Sequence, residues 1–528
     1  MTAENSGLPE ETADEMNDQI STTSMCLSEL RIGRLSPVEI ASDNCSAPDV
    51  PIESLPPELL AYIFQSYVDL NCNLVSLALV CHKWRSTALQ TRALWRFILV
   101  VDVVWDPRQQ IINASIPGVD GRFNMLGRKQ VCASQEQLIN AIERAGSAAL
   151  DVTVDFTGAI TRTRPSMNVH AIQMCLSVFG DQGIIAKTAK LSISSLPDMP
   201  DSCPAWSKLC IPPYPLLDTF SCASIGHRWI PFISQMLSSS PKLTSAELPP
   251  SLQDVLKESQ IWSNLQCFCS MGGQFWRNPL TPETPTDIIL SKCLSIEKIV
   301  LSLIPWPNIN TATISYVKLR YAVLRGEIQF MVRLRAPLLT FLSLYELPSY
   351  DGQQSESLHI ELPNLKILSV DTANPSWIYR SNLPSLVSLS MNLTRGGYLS
   401  THFFVPNGLP TVLDVKIEYL ASDLAIIWAL ESFQNAETVK IVPVGQQLTL
   451  GRLTSQTLVR RLFSPEPFTL VPKAWYIQLG NAQTKVEGSM SVLEPLLRAL
   501  VEDRKERGTP LQSINAHWAG LTSVVEYA

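Results

Sequence analysis

The feature that most constrains this chain is a phrase that returns at nearly fixed intervals. Pro337-Leu338-Leu339-Thr340-Phe341-Leu342-Ser343-Leu344 reads P-x-L-x-x-L-x-L. Pro363 to Val370 and Pro384 to Met391 repeat it, and looser copies run Pro215 to Cys222, Pro241 to Leu248 and Pro410 to Ile417. Fragments without the proline surround Leu265, Ile296 and Ala436. Taken at the first apolar position, the series is Leu217, Leu243, Leu265, Ile296, Leu339, Leu365, Leu386, Val412 and Ala436, with steps of 26, 22, 31, 43, 26, 21, 26 and 24 residues. Most steps fall in the period of about 20–29 residues that builds one strand per repeat. The 43-residue step is expected to hide one degenerate copy.

The L-x-L end of each copy predicts a short strand with alternate side chains turned inward. A single copy cannot bury its inner face, so the copies must stack into a leucine-rich-repeat solenoid whose parallel strands line the concave side. An ordinary α/β core in which leucine is merely common is the competing reading. The proline recurring at one phase over six copies favours the solenoid. The asparagine turn of well-formed repeats is missing, which predicts an irregular curve. The expected fold class is therefore α/β, α+β overall, with a small all-helical module ahead of the repeats.

That module begins where the texture changes, at Pro51. Residues 1–50 hold ten acidic and two basic side chains and no Trp, Phe or Tyr, the composition of a disordered acidic leader. Within it, Met25 to Ile40 carries scattered leucines and isoleucines compatible with a transient helix. Leu55-Pro56-Pro57-Glu58 opens a helix, because proline is tolerated in a first turn and Glu58 suits the positive end. Leu59, Leu60, Ile63, Phe64 and Tyr67 follow on one stripe at helical spacing. A second apolar series, Leu74, Leu77, Ala78, Cys81, Trp84 and Ala88, predicts another helical face bent or broken near Cys81. Leu94, Trp95, Phe97 and Ile98 close the unit, which is too small to be robust alone.

A helix–Gly–strand unit comes next. Ser134-Gln135-Glu136-Gln137 fits a capping box, Gly146 ends the helix, and Leu150, Val152, Val154 and Phe156 alternate as a strand. A similar unit recurs near the C-terminus. There a helix carries Leu493, Leu496, Leu497, Leu500 and Val501 and is stopped by Gly508-Thr509-Pro510.

Three phrases in the module carry a resemblance. Leu55-Pro56-Pro57-Glu58-Leu59-Leu60-x-x-Ile63-Phe64, then Leu74-x-x-Leu77-x-x-Val80-Cys81-x-x-Trp84-Arg85, then Leu94-Trp95, resembles an F-box over about 45 residues. In texture the whole chain is similar to the fungal F-box families that carry a diverged leucine-rich region. The resemblance implies a substrate receptor of an SCF-type (Skp–cullin–F-box) ubiquitin ligase. The module would dock on the Skp-type adaptor, and through it on a cullin scaffold, while the repeats bind an unknown target protein. Carried over by position, Leu55, Pro56, Pro57, Glu58, Leu59, Ile63 and Phe64 would form one half of the adaptor-facing surface. Leu77, Val80, Cys81, Trp84 and Arg85 would form the other. For Leu60, Tyr67, Leu77 and Trp84, packing inside the module is an equal alternative, whereas Pro56 and Pro57 suit an interface better than a core.

The expected organisation is a leader at 1–50, the F-box at 51–99, a connecting helix–strand unit at 100–160, the solenoid at 161–450 and a helix–strand cap at 451–528. The net charge of −7 arises in the leader, so the nearly neutral body offers no footprint for nucleic acid or an anionic membrane. No signal segment and no membrane span is expected, which points to the cytoplasm or nucleus. The 12 cysteines sit in apolar contexts as small buried residues, without a C-x-x-C pair or metal-ligand spacing. No phosphate-binding loop, H-E-x-x-H or G-x-S-x-G is present, so neither cofactor nor catalysis is expected. The rival readings are a repeat scaffold whose F-box is degenerate or works outside a ligase and, last, an enzyme. Tyr345, Trp377, Tyr379 and Tyr398 are candidate target anchors, with core packing as their alternative.

Overall fold

A computed structural model describes residues 54–101 (except 71), 112–115, 122–156, 174–196, 212–270, 285–304, 314–326, 334–346, 360–371, 376–392, 409–419, 430–443, 471–479 (except 472), 490–508, 513–518 and 521–526. The readings of the leader and of Tyr398 lie outside them. The chain divides into two units, Met1–Pro56 and Pro57–Ala528, and the first contributes only residues 54–56 to the description.

The second unit opens with three helices: α1 (Pro57–Asp69), α2 (Leu74–Ala78) and α3 (His82–Gln90). The second apolar series is broken near Cys81, as its sequence predicts, because two caps interrupt it. Asn73 accepts from Val75 N at the start of α2, and Cys81 Sγ accepts from Trp84 N at the start of α3. Leu60, Phe64 and Val68 turn inward from α1, and the Phe64 and Trp84 rings meet at 5.0 Å. A 3-10 turn, Arg92–Trp95, follows; buried Trp95 donates through Nε1 to Ala88 O at 3.0 Å.

Strands begin directly after it. They are β1 (Phe97–Val101), β2 (Ile112–Ser115), β3 (Arg122–Leu126), β4 (Lys129–Cys132), β5 (Leu150–Asp155), β6 (Thr188–Ser195) and β7 (Thr219–Cys222). Then come β8 (Ser245–Leu248), β9 (Cys267–Ser270), β10 (Lys298–Ile304), β11 (Ile314–Ser315), β12 (Tyr321–Gly326), β13 (Leu334–Arg335) and β14 (Phe341–Glu346). The series ends with β15 (Ile367–Asp371), β16 (Ser388–Asn392), β17 (Asp414–Tyr419), β18 (Thr438–Pro443), β19 (Tyr476–Leu479), β20 (Ser513–Trp518) and β21 (Leu521–Glu526). All but β11 and β13, which pair with each other, join one sheet of 19 described strands. Its order is β2-β3-β4-β1-β5 and then upward to β21. Pairing is parallel from β4 to β20 and antiparallel at both ends. The class is α/β: a helical module followed by a long parallel sheet of solenoid type.

One backbone device repeats along that sheet. The leading apolar residue of most copies closes a tight turn, as Leu339 N does on Ala336 O at 3.1 Å and Leu365 N on Leu362 O at 3.2 Å. The next two amides both donate to one carbonyl of the copy before. Thr340 and Phe341 share Arg320 O, Lys366 and Ile367 share Thr340 O, Val387 and Ser388 share Lys366 O. The polar residue just ahead of the leading apolar position adds a side-chain link in three copies. Asn364 donates to Pro337 O, Ser385 to Pro363 O and Asn435 to Pro410 O, each at 2.7 Å. Tyr316-Val317-Lys318-Leu319 is the copy hidden in the 43-residue step, since Leu319 N closes the turn on Tyr316 O and β12 follows. Ala474, with its turn on Val471 O, marks a further copy ahead of β19.

The module is tied to the sheet. Only Arg96 separates the 3-10 turn from β1, and its carbonyl accepts from Asp151 N at 3.0 Å. Buried Gln130 donates to Trp95 O and accepts from Arg144 Nη1 at 3.1 Å. That arginine lies on α4 (Gln135–Ala145), which is capped by Ser134 and ended by Gly146 at φ 59°. Among the described residues no helix is long and apolar enough to cross a membrane.

Candidate partner-docking site

The helical module buries one apolar stripe of α1 and presents another. Leu60, Phe64 and Val68 repeat every four residues on the inner side. Leu59, Tyr62 and Ile63 occupy an outer one and are 52%, 74% and 40% exposed. Three more large apolar side chains, Leu70, Leu79 and Val80, are also exposed. Six such residues thus lie exposed between positions 59 and 80, and exposed apolar side chains that form a contiguous patch are the usual mark of an interaction surface.

The candidate adaptor residues fall into two sets. Pro57, Glu58, Leu59, Ile63 and Val80 are exposed, as is Pro56, while Leu55 is half-buried. Phe64 and Leu77 lie in the module's own core. Cys81, Trp84 and Arg85 are half-buried and hold the α2–α3 corner: Cys81 caps α3, Trp84 packs on Phe64, and Arg85 Nε donates to Ala78 O at 3.2 Å. Of the residues with packing as an alternative, Leu60 is buried and Tyr67 is half-buried. Tyr62, Leu70 and Leu79 were not among the candidates. Tyr62 stands three residues after Leu59, a spacing that puts both on the same helical face.

The other surface that presents side chains is the sheet face opposite the leucines. Tyr345 lies there, 38% exposed at the end of β14, whereas Trp377 is buried in the helix Ser376–Arg380. Tyr321 and Phe341, partners in the β12–β14 register, stack with centroids 4.4 Å apart and planes 4° from parallel. Farther along, Asp414 accepts hydrogen bonds from Ser388 and Thr438, and Lys416 pairs with Glu418 at 2.5 Å.

The buried thiols are not activated. Burial, reinforced by the Glu247 carboxylate, pushes the Cys269 thiol well above its usual range, and burial pushes Cys293 up to about 12. An activated thiol shifts the other way. A hollow of about 370 Å³ beside α4 is lined mainly by Leu138, Ile139, Ile142, Leu176 and Ile184. Its Asp181 carboxylate is occupied by the amides of Gly183 and Ile184. No group of three or more His, Cys, Asp or Glu among the described residues is placed to hold a metal.

Residues 52–100 match the family model described as F-box-like. No curated protein matches the chain. The "Crystal structure of Rad7 and Elc1 complex in yeast" is similar over 84% of this chain and 98% of that one, at 14% identity and a TM-score of 0.30.

Proposed function

We propose that this chain, whose residues 52–100 form an F-box-like domain, is the non-catalytic substrate-recognition subunit of an SCF-type ubiquitin ligase. The observation that carries the reading is the outward stripe of Leu59, Tyr62 and Ile63 on the first helix of that domain. Three large apolar side chains at helical spacing, with polar Glu58 and a proline beside them, suit a groove or helical face on a Skp-type adaptor. The cullin scaffold joins through the adaptor. The repeat region 161–450, closed by 451–528, binds the target protein. The chain supplies proximity: holding a target beside the charged conjugating enzyme raises its effective concentration there. Its place of action is the cytoplasm, the nucleus or both.

In this reading the adaptor-facing residues are Leu55, Pro56, Pro57, Glu58, Leu59, Ile63 and Val80, joined by Tyr62. Phe64, Leu77, Cys81, Trp84 and Arg85 act by holding that surface in shape. The test is a pull-down of full-length chain with purified Skp-type adaptor, wild type beside Leu59→Ala/Tyr62→Ala. Binding by wild type and its loss in a variant of unchanged thermal stability supports recruitment. A folded wild type that ignores the adaptor overturns the ligase reading and leaves a repeat scaffold with a ligase-independent or degenerate F-box.

A further inference from the structure

The sheet face opposite the leucines is polar over much of its length but changes character between β10 and β15. One register row there runs Lys298, Tyr321, Phe341 and Ile367 on four adjacent strands. Two positions farther along each strand, the row is Val300, Val323, Ser343 and Ser369. Two more along, the row is Arg325, Tyr345 and the buried Asp371. Ile367 is 43% and Tyr345 38% exposed. Large side chains thus flank a lane of small ones. The flanks stand four residues apart along the strand, or about 13 Å, which admits an extended peptide running across the strands.

The strands and turns around this lane carry more cations than carboxylates. On β10–β15 and the turns before those strands stand the cations Lys298, Lys318, Arg320, Arg325, Arg335 and Lys366 against the carboxylates Glu297, Glu346, Glu361 and the buried Asp371. The chain as a whole is at −7, so this excess runs against its average. The neighbouring strands β16–β18 and their turns show no such excess, since Lys416 and Lys440 stand there with Asp414, Glu418 and Glu437.

From the reading of this chain as a target receptor, we infer that the lane bounded by Lys298, Tyr321, Phe341, Ile367, Arg325 and Tyr345 is its target-docking surface, and that the ligand is an extended acidic peptide segment with an aliphatic or aromatic side chain between its carboxylates. Apolar contact along the Phe341–Ile367 flank supplies an anchor, and the cations of these strands and turns supply steering. A single-stranded nucleic acid is disfavoured by the rings themselves. Base stacking needs a free aromatic face. Tyr321 has Phe341 on one side and Lys298 Nζ at 4.9 Å from its centroid.

The experiment is selection of a displayed library of random peptides on the full-length chain, followed by affinity measurement with the enriched peptide and with oligouridine as the nucleic-acid probe. The expected result is enrichment of Asp and Glu around Leu, Ile or Phe. Affinity falls about tenfold or more in Phe341→Ser and in Arg325→Glu/Lys366→Glu, weakens with added salt, and stays unchanged in Lys416→Glu/Lys440→Glu on the same face. The charge variants are at exposed or half-exposed positions and test the lane even if Phe341→Ser fails to fold. No enrichment, enrichment of basic or neutral sequences, indifference to the lane substitutions, or tighter binding of oligouridine overturns the inference. Adaptor binding is scored on the same preparations. Acidic-peptide selection without adaptor binding leaves the lane standing and removes the ligase reading alone.

Discussion

The repeat sheet and the helical module are made from the same apolar residues and dispose of them in opposite ways. In β14 to β17 every second side chain is buried: Leu342 and Leu344, Leu368 and Val370, Leu389 and Met391, Val415 and Ile417. In the module, Leu59, Ile63, Leu79 and Val80 are all at least 40% exposed. The difference lies in the neighbours. A strand inside a long sheet has a copy of itself on either side and a shared core below, so the period of two decides burial. A unit of three short helices encloses too little volume to cover both flanks of a broad apolar stripe. What it leaves outside is free to be covered by another protein. Burial in one region is a property of the repeat, and exposure in the other is a property of size.

Truncations inside and outside the module sharpen that contrast most. Phe64→Ala removes a fully buried ring that packs on Trp84, and should cost about 3–5 kcal/mol in chemical unfolding. Leu389→Ala in the sheet should cost about 2–5 kcal/mol by the same cavity mechanism. Leu59→Ala, one turn from Phe64 on the outer side, should change stability by no more than about 0.5 kcal/mol while weakening adaptor capture. If Leu59→Ala destabilises the chain as much as Phe64→Ala, the division of the stripe is wrong.

That division is also where sequence reading ran out. The module's order was legible because Leu-Pro-x-Glu, Val-Cys-x-x-Trp and Leu-Trp fall at fixed separations, whereas the thiol cap that makes the break at Cys81 is seen only in the structure. The stripe of α1, however, is apolar on both flanks, and spacing alone cannot say which flank turns inward. Leu60 and Phe64 did, Leu59 and Ile63 did not. The repeats were legible because one proline kept its phase. The copy at Leu319 has Val317 in the proline's place and Ala322 where a leucine would stand, so it disappeared into the 43-residue step. The copy at Ala474 keeps Pro472 but loses the leading leucine. In both, the backbone turn survives without the side chain that advertises it. The incorporation of β1, β4 and β5 into the same sheet had no sequence signal at all, since pairing between distant short strands leaves no periodic trace.

The junction between the two regions offers a smaller test. Gly146 ends α4 at φ 59° and ψ −117°, a conformation that side chains other than glycine's adopt at a cost, and a Cβ there would stand 2.4 Å from Arg92 Cδ. Gly146→Ala should therefore cost about 1–3 kcal/mol. Because Arg92 belongs to the 3-10 turn and can swing aside, the loss should appear in stability with adaptor capture retained.

Within the sheet, Asn364→Ala deletes one side-chain link between neighbouring copies, Nδ2 to Pro337 O at 2.7 Å. The site is exposed, so water replaces part of the bond, and the expected loss is about 0.5–1 kcal/mol. A loss indistinguishable from zero would mean that the shared-carbonyl ladder alone holds the copies together.

The smallest effect belongs to the ion pair across the junction. Arg96 Nη2 meets Asp69 Oδ1 at 3.1 Å, with the two side chains 35% and 48% exposed. Exposed pairs of this kind contribute about 0.2–1 kcal/mol and lose that in salt. Arg96 also lies 4.7 Å from the Phe97 ring centroid, but Arg128 covers the same ring at 4.2 Å and remains after substitution. Arg96→Gln should therefore lower stability by less than about 1 kcal/mol at low ionic strength. The loss should shrink further as salt is added, and adaptor capture should be unaffected. A larger, salt-independent loss would show that the module leans on the sheet through this one arginine. The junction would then depend less on the buried set formed by Trp95, Gln130 and Arg144, and the module's small size would be offset by a single contact.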